Sequence, residues 1–237
     1  MRNAGASGSF SADGSDARVS LFDDLHVTSL GFDYEQQAYD DGYRFIAGID
    51  EVGRGSLAGP VVAVACILDI EKPLPDDLND SKKLTPETRE SVALQIKKDC
   101  IAFAVGQVEA DEIDRINILE ATKKAMLLAV AGLKPAADFL LVDALRLKQN
   151  DLAQRAIIKG DALSASIAAA SVLAKTYRDE LMKNYSGQYP KYGFAEHKGY
   201  GAASHFTALR SHGPCPIHRM TFRGVLSDKA GAEEKKY

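Results

Sequence analysis

The chain has 237 residues, 46% of them hydrophobic and 26% charged, with a formal net charge of −4. That balance belongs to a soluble globule large enough to bury a core without covalent staples. Three scattered cysteines (Cys66, Cys100, Cys215) exclude a disulfide framework and a paired-cysteine metal knuckle, and point to a reducing, cytoplasmic setting.

Residues 1–20 are rich in Gly, Ser and Ala, lack the apolar stretch of a signal peptide, and are expected to be disordered. Runs 44–50 (RFIAGID) and 60–70 (PVVAVACILDI) are β-rich and flank a glycine-dense turn, which predicts a hairpin. The apolar run 60–68 is far shorter than the roughly 20 residues of a membrane helix, so no membrane contact is expected. A helix is predicted over 85–98, with Pro86 in its first turn, then a strand over 100–108. Apolar residues at 113, 116, 119, 126, 127 and 130 predict one long helix over 111–133.

Run 139–142 (FLLV) has the pattern of a buried central strand ending at Asp143, and 155–159 (RAIIK) that of another ending at Gly160-Asp161. Residues 164–184 predict a helix capped by Ser164, with Ile167, Ala170, Ala174, Tyr177 and Leu181 along one face. A last helix over 202–211 stops at Gly213-Pro214, and 227–237 is a charged tail. Alternating strands and helices predict an α/β domain on a mixed sheet.

Three of these strands end in acids: Asp50-Glu51, Asp143 and Asp161. Ligands of open α/β sheets bind outside the carboxyl ends of strands, so the acids are expected on one rim. Crowded carboxylates repel unless neutralised, and an all-oxygen set suits Mg²⁺ or Mn²⁺ rather than zinc. The competing reading makes Asp161 a helix cap and Asp143 the start of a turn. The turn DEVGRGSLAGP (50–60) adds Gly53 and Gly55, which let backbone N–H groups approach a ligand, and Arg54 between them. Net charge argues against a polyanionic partner, but binding depends on a local patch. Between 191 and 223, Lys191, Lys198, Arg210, Arg219 and Arg223 face a single acid, Glu196. Histidines 197, 205, 212 and 218 in this stretch read as structural or surface residues.

IAGIDEVGRGSLAGPVVAVACIL resembles the opening of ribonuclease HII, and the likeness continues through DSKKLTPETR, EIDRINILEATKKAM, LLVDALRL, KGDALSASIAAASVLAKTYRD and YGFAEHKGYGAASHFTALRSHGPCPIHR. Several long motifs in order are more specific than any one of them. The resemblance implies a ribonuclease-H-like fold, a mixed five-stranded sheet flanked by helices, over 21–190, with a helical substrate-binding extension at 191–226. It implies that Asp50, Glu51, Asp143 and Asp161 are the catalytic, metal-binding acids, loaded with Mn²⁺ or Mg²⁺ and working by two-metal-ion catalysis. Gly53, Arg54 and Gly55 would read the ribose 2′-OH, Tyr200 would stack on the neighbouring deoxyribose, and Ser81, Lys82 and Lys83 would lie near the nucleic-acid backbone. The implied substrates are RNA–DNA hybrids and duplex DNA with embedded ribonucleotides, cut to 3′-hydroxyl and 5′-phosphate ends. A monomer is expected, with a possible replication-clamp contact through a tail. Lys82, Lys83, Lys198, Arg210 and Arg219 are candidate phosphate contacts. Lys175 and Arg178 face either the substrate or a salt-bridged helix surface. Three residues depart from the family pattern: Ser56 where proline is usual, Ala144 where glycine is commoner, and Cys215 for a usual serine. A ribonuclease HIII, a non-catalytic binding module and a small-molecule phosphohydrolase are the weaker readings.

Overall fold

The computed structural model describes residues 27–79, 81 and 84–226. The tails, Asp80, Lys82 and Lys83 fall outside them, and so does any clamp contact through a tail. Strands β1 (Ile46–Val52) and β2 (Val61–Ile67) form the predicted antiparallel hairpin, pairing Asp50 with Val64 and Glu51 with Ala63. Strand β3 (Ala102–Val108) adds antiparallel to β2, whereas β4 (Phe139–Asp143) and β5 (Ala153–Ile157) add in parallel on the far side of β1. The sheet order is therefore β3-β2-β1-β4-β5.

Helices cover both faces. Helix α2 (Pro86–Asp99) begins as its sequence dictates, with Pro86 at the first position and the Thr85 hydroxyl accepting from the Thr88 amide. Strand side chains alternate, so Ala47 and Ile49 of β1 join Leu140 and Val142 of β4 in a core with Ala121, Ala125, Met126 and Ala129 of helix α4 (Ile118–Ala131). The opposite face meets helix α5 (Ala165–Gln188), whose Ala165, Ala168, Ala169 and Val172 pack with Val64, Cys66 and α2. Small residues bring α5 close to the sheet. At Gly48 a Cβ would stand 2.0 Å from the Ser166 carbonyl carbon, so any side chain there would push α5 off β1.

The helix predicted over 111–133 is two helices. Helix α3 (Ala110–Ile116) ends at Asn117, which takes φ +68°, and its side chain accepts from Leu119 and Glu120 to start α4. The apolar spacing runs on across the break, so periodicity cannot see it. Strand β5 also lies two residues earlier than predicted: Ile157 is its last residue, Lys159 turns left-handed, and a short 3-10 turn (Gly160–Ala162) follows. The buried face of α5 continues through Arg178 and Met182 rather than Tyr177 and Leu181. The unpredicted helix α1 (Asp33–Asp40) sends Glu35 under α5, where it accepts from the Ser164 hydroxyl at 2.6 Å and the Ser166 amide at 2.8 Å.

The segment after α5 contains a short unpredicted helix, α6 (Phe194–His197), and then α7 (Ala203–His212). Tyr192, Phe194, Ala208 and Ile217 pack there against Ala58 of the β1–β2 turn and Met182 of α5. The extension is thus fastened to the glycine-dense turn.

Candidate active site

The carboxyl ends of β1 and β4 lie side by side, since their last pair in register is Ile49 with Val142. The next residues are Asp50 and Asp143, and alternation turns both toward the α5 face. β1 runs on past this last pair to Val52, so Asp50 and Glu51 stand on an overhang beside the end of β4. Asp161 is offered by the 3-10 turn rather than by a strand end. Its neighbour Gly160 donates its N–H to Asp143 Oδ1 at 2.8 Å, which ties that turn to the acid of β4.

Asp50 is only 6% exposed. Burial, reinforced by the negative charges of Glu51 and Asp143, pushes its carboxyl up to about 8 against a hydrogen bond from Ser171. Glu51 is also raised, first by burial and then by Asp143, while Arg54 opposes the rise through a 3.1 Å ion pair. These oxygens are short of positive charge. A hard divalent cation held largely by one or two carboxylates and water or substrate oxygens fits such a donor set. Among the described residues no three Asp, Glu, His or Cys side chains stand close enough together to hold a metal ion between them.

Behind the acids a polar chain reaches Ser81. The Ser81 and Ser171 hydroxyls are 2.9 Å apart, and Ser171 bonds Asp50. Ser81 is 3% exposed, and Arg89 Nε donates to its carbonyl at 2.9 Å, so its side chain faces the interior.

The glycine-dense turn is held by two buried arginines that the sequence led us to place elsewhere. Arg219, read as a phosphate contact, is fully buried. Its guanidinium donates to the carbonyls of Gly53 at 2.7 Å, Arg54 at 2.9 Å and Gly59 at 3.0 Å. Arg178, also fully buried, donates to the carbonyls of Ala58, Pro60 and Lys198. Lys175 instead pairs with Asp179 at 2.7 Å. Gly53 takes φ +89°, and a Cβ there would fall 2.2 Å from Arg178 Nε, so both conformation and space demand glycine. Tyr200 is 37% exposed, and Arg178 also lies 5.6 Å from its ring centre. The Leu57 amide donates to the Gly199 carbonyl at 2.8 Å. The 53–60 turn and the segment bearing Tyr200 are one framework.

Two departures from the family pattern acquire a physical meaning. Ala144 takes φ +51°, a left-handed conformation in which a Cβ is strained and glycine is not. Ala144→Gly is expected to raise the melting temperature by about 1–3 °C, the equivalent of a few tenths of a kcal/mol to about 1, because glycine's extra chain entropy offsets part of the gain. A fall in melting temperature, read by differential scanning calorimetry, would refute the strain. Ser56 is buried, its amide donates to the Gly53 carbonyl at 3.3 Å, and its hydroxyl has no partner.

A mixed five-stranded sheet with acids gathered at the ends of β1 and β4 defines a ribonuclease-H-like α/β protein. The ribonuclease HII family model matches residues 47–225. Ribonuclease HII of Desulfitobacterium hafniense is 58% identical over 191 residues, covering 81% of this chain and 73% of that protein. The enzyme of that name from Geobacter sulfurreducens is 54% identical and covers 87% of this chain and 94% of its own length. Among solved structures, the ribonuclease H2 of Pyrococcus horikoshii superposes with a TM-score of 0.65 at 26% identity, over 77% of this chain and 95% of that one. The chain belongs to the ribonuclease HII family, and it is an endoribonuclease of the ribonuclease H type, acting on the RNA of RNA–DNA hybrids.

Proposed function

We propose that the enzyme also cuts duplex DNA on the 5′ side of a single embedded ribonucleotide, leaving a 3′-hydroxyl and a 5′-phosphate. Asp50, Glu51, Asp143 and Asp161 would hold two divalent ions, Mn²⁺ or Mg²⁺. When bound, such ions make water a stronger nucleophile and stabilise charge on the departing oxygen. The chain itself must place the scissile bond and recognise the ribose.

Recognition of the ribose rests on one observation, that Arg219 draws in the carbonyls of both Gly53 and Arg54. In a trans peptide the N–H points opposite to the C=O, so the amides of Arg54 and Gly55 turn away from Arg219. They are suited to hold a 2′-OH, the one group that marks a ribonucleotide among deoxyribonucleotides. Gly55 supports this reading differently. A Cβ there would meet nothing within 4 Å, so the interior does not require glycine at that position. The space is available to an approaching sugar. Tyr200, half-exposed beside Arg178, would present its ring to the neighbouring deoxyribose.

The test is cleavage of a DNA duplex carrying one ribonucleotide, beside an all-RNA strand hybrid and an all-DNA duplex, each with Mn²⁺ and with Mg²⁺. A single incision 5′ of the ribonucleotide is expected, with the all-DNA duplex intact. Cleavage of the long hybrid alone would overturn the proposal.

A further inference from the structure

The four histidines 197, 205, 212 and 218 have no part in the chemistry above, yet two of them form a directed relay that ends on Tyr200. His205 and His218 are buried, and their Nε2 atoms lie 3.0 Å apart. Two facing ring nitrogens bond only if one carries a proton and the other does not. Both ends of the pair decide which. His205 Nδ1 is 2.9 Å from the Tyr200 carbonyl, which only accepts, so that nitrogen carries the proton and Nε2 is bare. The Cys215 amide donates to His218 Nδ1 at 2.9 Å, closer than the Cys215 carbonyl at 3.2 Å, so Nδ1 is bare and Nε2 carries the proton. The two assignments agree. The chain runs from the Cys215 N–H through His218 and His205 to the Tyr200 carbonyl.

Burial favours the neutral rings this relay needs. It holds His218 down to about 4 and lowers His205 as well. His197 stacks on His205 at 4.4 Å and braces the residue before Tyr200, since its Nδ1 accepts from the Gly199 amide at 3.2 Å and its Nε2 bonds the Tyr192 carbonyl at 2.7 Å. Tyr200 sits at the rim of this network with its ring half-exposed. No histidine need touch the substrate to matter to it.

The geometry points to His205 and His218 as positioning residues that fix the main chain of Tyr200, and through it the aim of its ring at the DNA–RNA junction. This inference rests on the proposed reading of Tyr200. It goes further by naming the residues through which the extension sets selectivity.

Two amide substitutions separate the ends of His205. Asparagine places a nitrogen where Nδ1 stood and keeps the bond to Tyr200, whereas glutamine reaches toward His218 and loses it. His205→Gln is expected to lower kcat/KM on the single-ribonucleotide duplex by about threefold to tenfold, since the Tyr200 carbonyl keeps the Ala202 amide at 2.8 Å but loses its side-chain donor, and His205→Asn to restore most of it. In a Tyr200→Ala background His205→Gln should cost nothing more, because the relay acts only through Tyr200. Equal losses in both backgrounds, or equal losses for Gln and Asn, would overturn the proposal and make the pair plain core. Should His205→Gln not fold, His218→Leu carries the same cycle with a smaller first loss expected, and a loss that persists beside Tyr200→Ala again refutes it. Failure of the wild-type enzyme to cut this duplex would sink the junction reading itself, a distinguishable result.

Discussion

Asp50→Asn is expected to reduce cleavage about a thousandfold or more and, in metal-free buffer, to leave the fold more stable than wild type. The loss would follow from removing a carboxylate oxygen from the proposed metal-binding acids, since residues at a reacting centre commonly contribute on this scale. The gain follows from burial. Asp50 is 6% exposed and its carboxyl is pushed up to about 8, so the ionised form is disfavoured in the fold and free in the unfolded chain. The folded state then keeps a proton that the unfolded chain releases, and wild-type stability falls as pH rises from about 4 toward 8. Asn has no proton to keep and still accepts from Ser171. Its melting temperature at pH 8 should exceed that of wild type by a few degrees, about 2–4 °C for each kcal/mol recovered. Adding Mn²⁺ should then raise the melting temperature of wild type more than that of the variant. A variant that cuts at the wild-type rate, or that melts lower at pH 8 without metal, would show that Asp50 is not a strained ligand.

Arg219→Met is the second large effect, and it falls on stability and selectivity together. Methionine fills much of the volume of the arginine stem but leaves the carbonyls of Arg54 and Gly59 without their Arg219 donor and that of Gly53 with only the long bond from the Ser56 amide. Each orphaned buried acceptor costs about 1 kcal/mol or more, so the loss is about 2 kcal/mol and the melting temperature falls by about 4–8 °C. The peptide planes of the turn also lose what fixes their direction. Cleavage at a single ribonucleotide should fall about a hundredfold, by the combined loss of two aimed amides. Arg219→Lys should recover little of either, because one ammonium cannot reproduce the planar fork that meets three carbonyls. Unchanged melting and unchanged cleavage in Arg219→Met would mean the turn holds its shape unaided.

The hairpin, the central strand and the acids were legible in the sequence because their signals are local. IAGID and FLLVD read as buried strands with acids at their ends, and parallel pairing of β1 with β4 puts those ends together. The break at Asn117 was not legible, since apolar residues keep helical spacing on both sides of a single residue at φ +68°. Arg178 and Arg219 were misread for a different reason. A basic residue looks the same in sequence whether it meets a phosphate or a backbone carbonyl, and only the fold shows six carbonyls waiting for these two. Ser171 gave a faint signal. It sits among alanines of α5, four residues after buried Ile167 and three before buried Ala174, where a hydroxyl would otherwise lack a reason. Helix α1 gave none that periodicity could use, because its buried side is Tyr34, Glu35 and Ala38.

The buried arginines also change what salt should do to substrate binding. Among the described residues neither Arg178 nor Arg219 pairs with a carboxylate; backbone carbonyls take their hydrogen bonds. Buried beneath the turn, they would make no direct contact with a bound phosphate and so would release no cation from the nucleic acid by such a contact. They still add positive potential beneath the turn, in a place where screening is weak. Attraction to the polyanion should therefore outlast added salt better than the number of basic residues in 191–223 implies. Exposed lysines and arginines set the slope of affinity against salt, while the two hidden ones raise its floor.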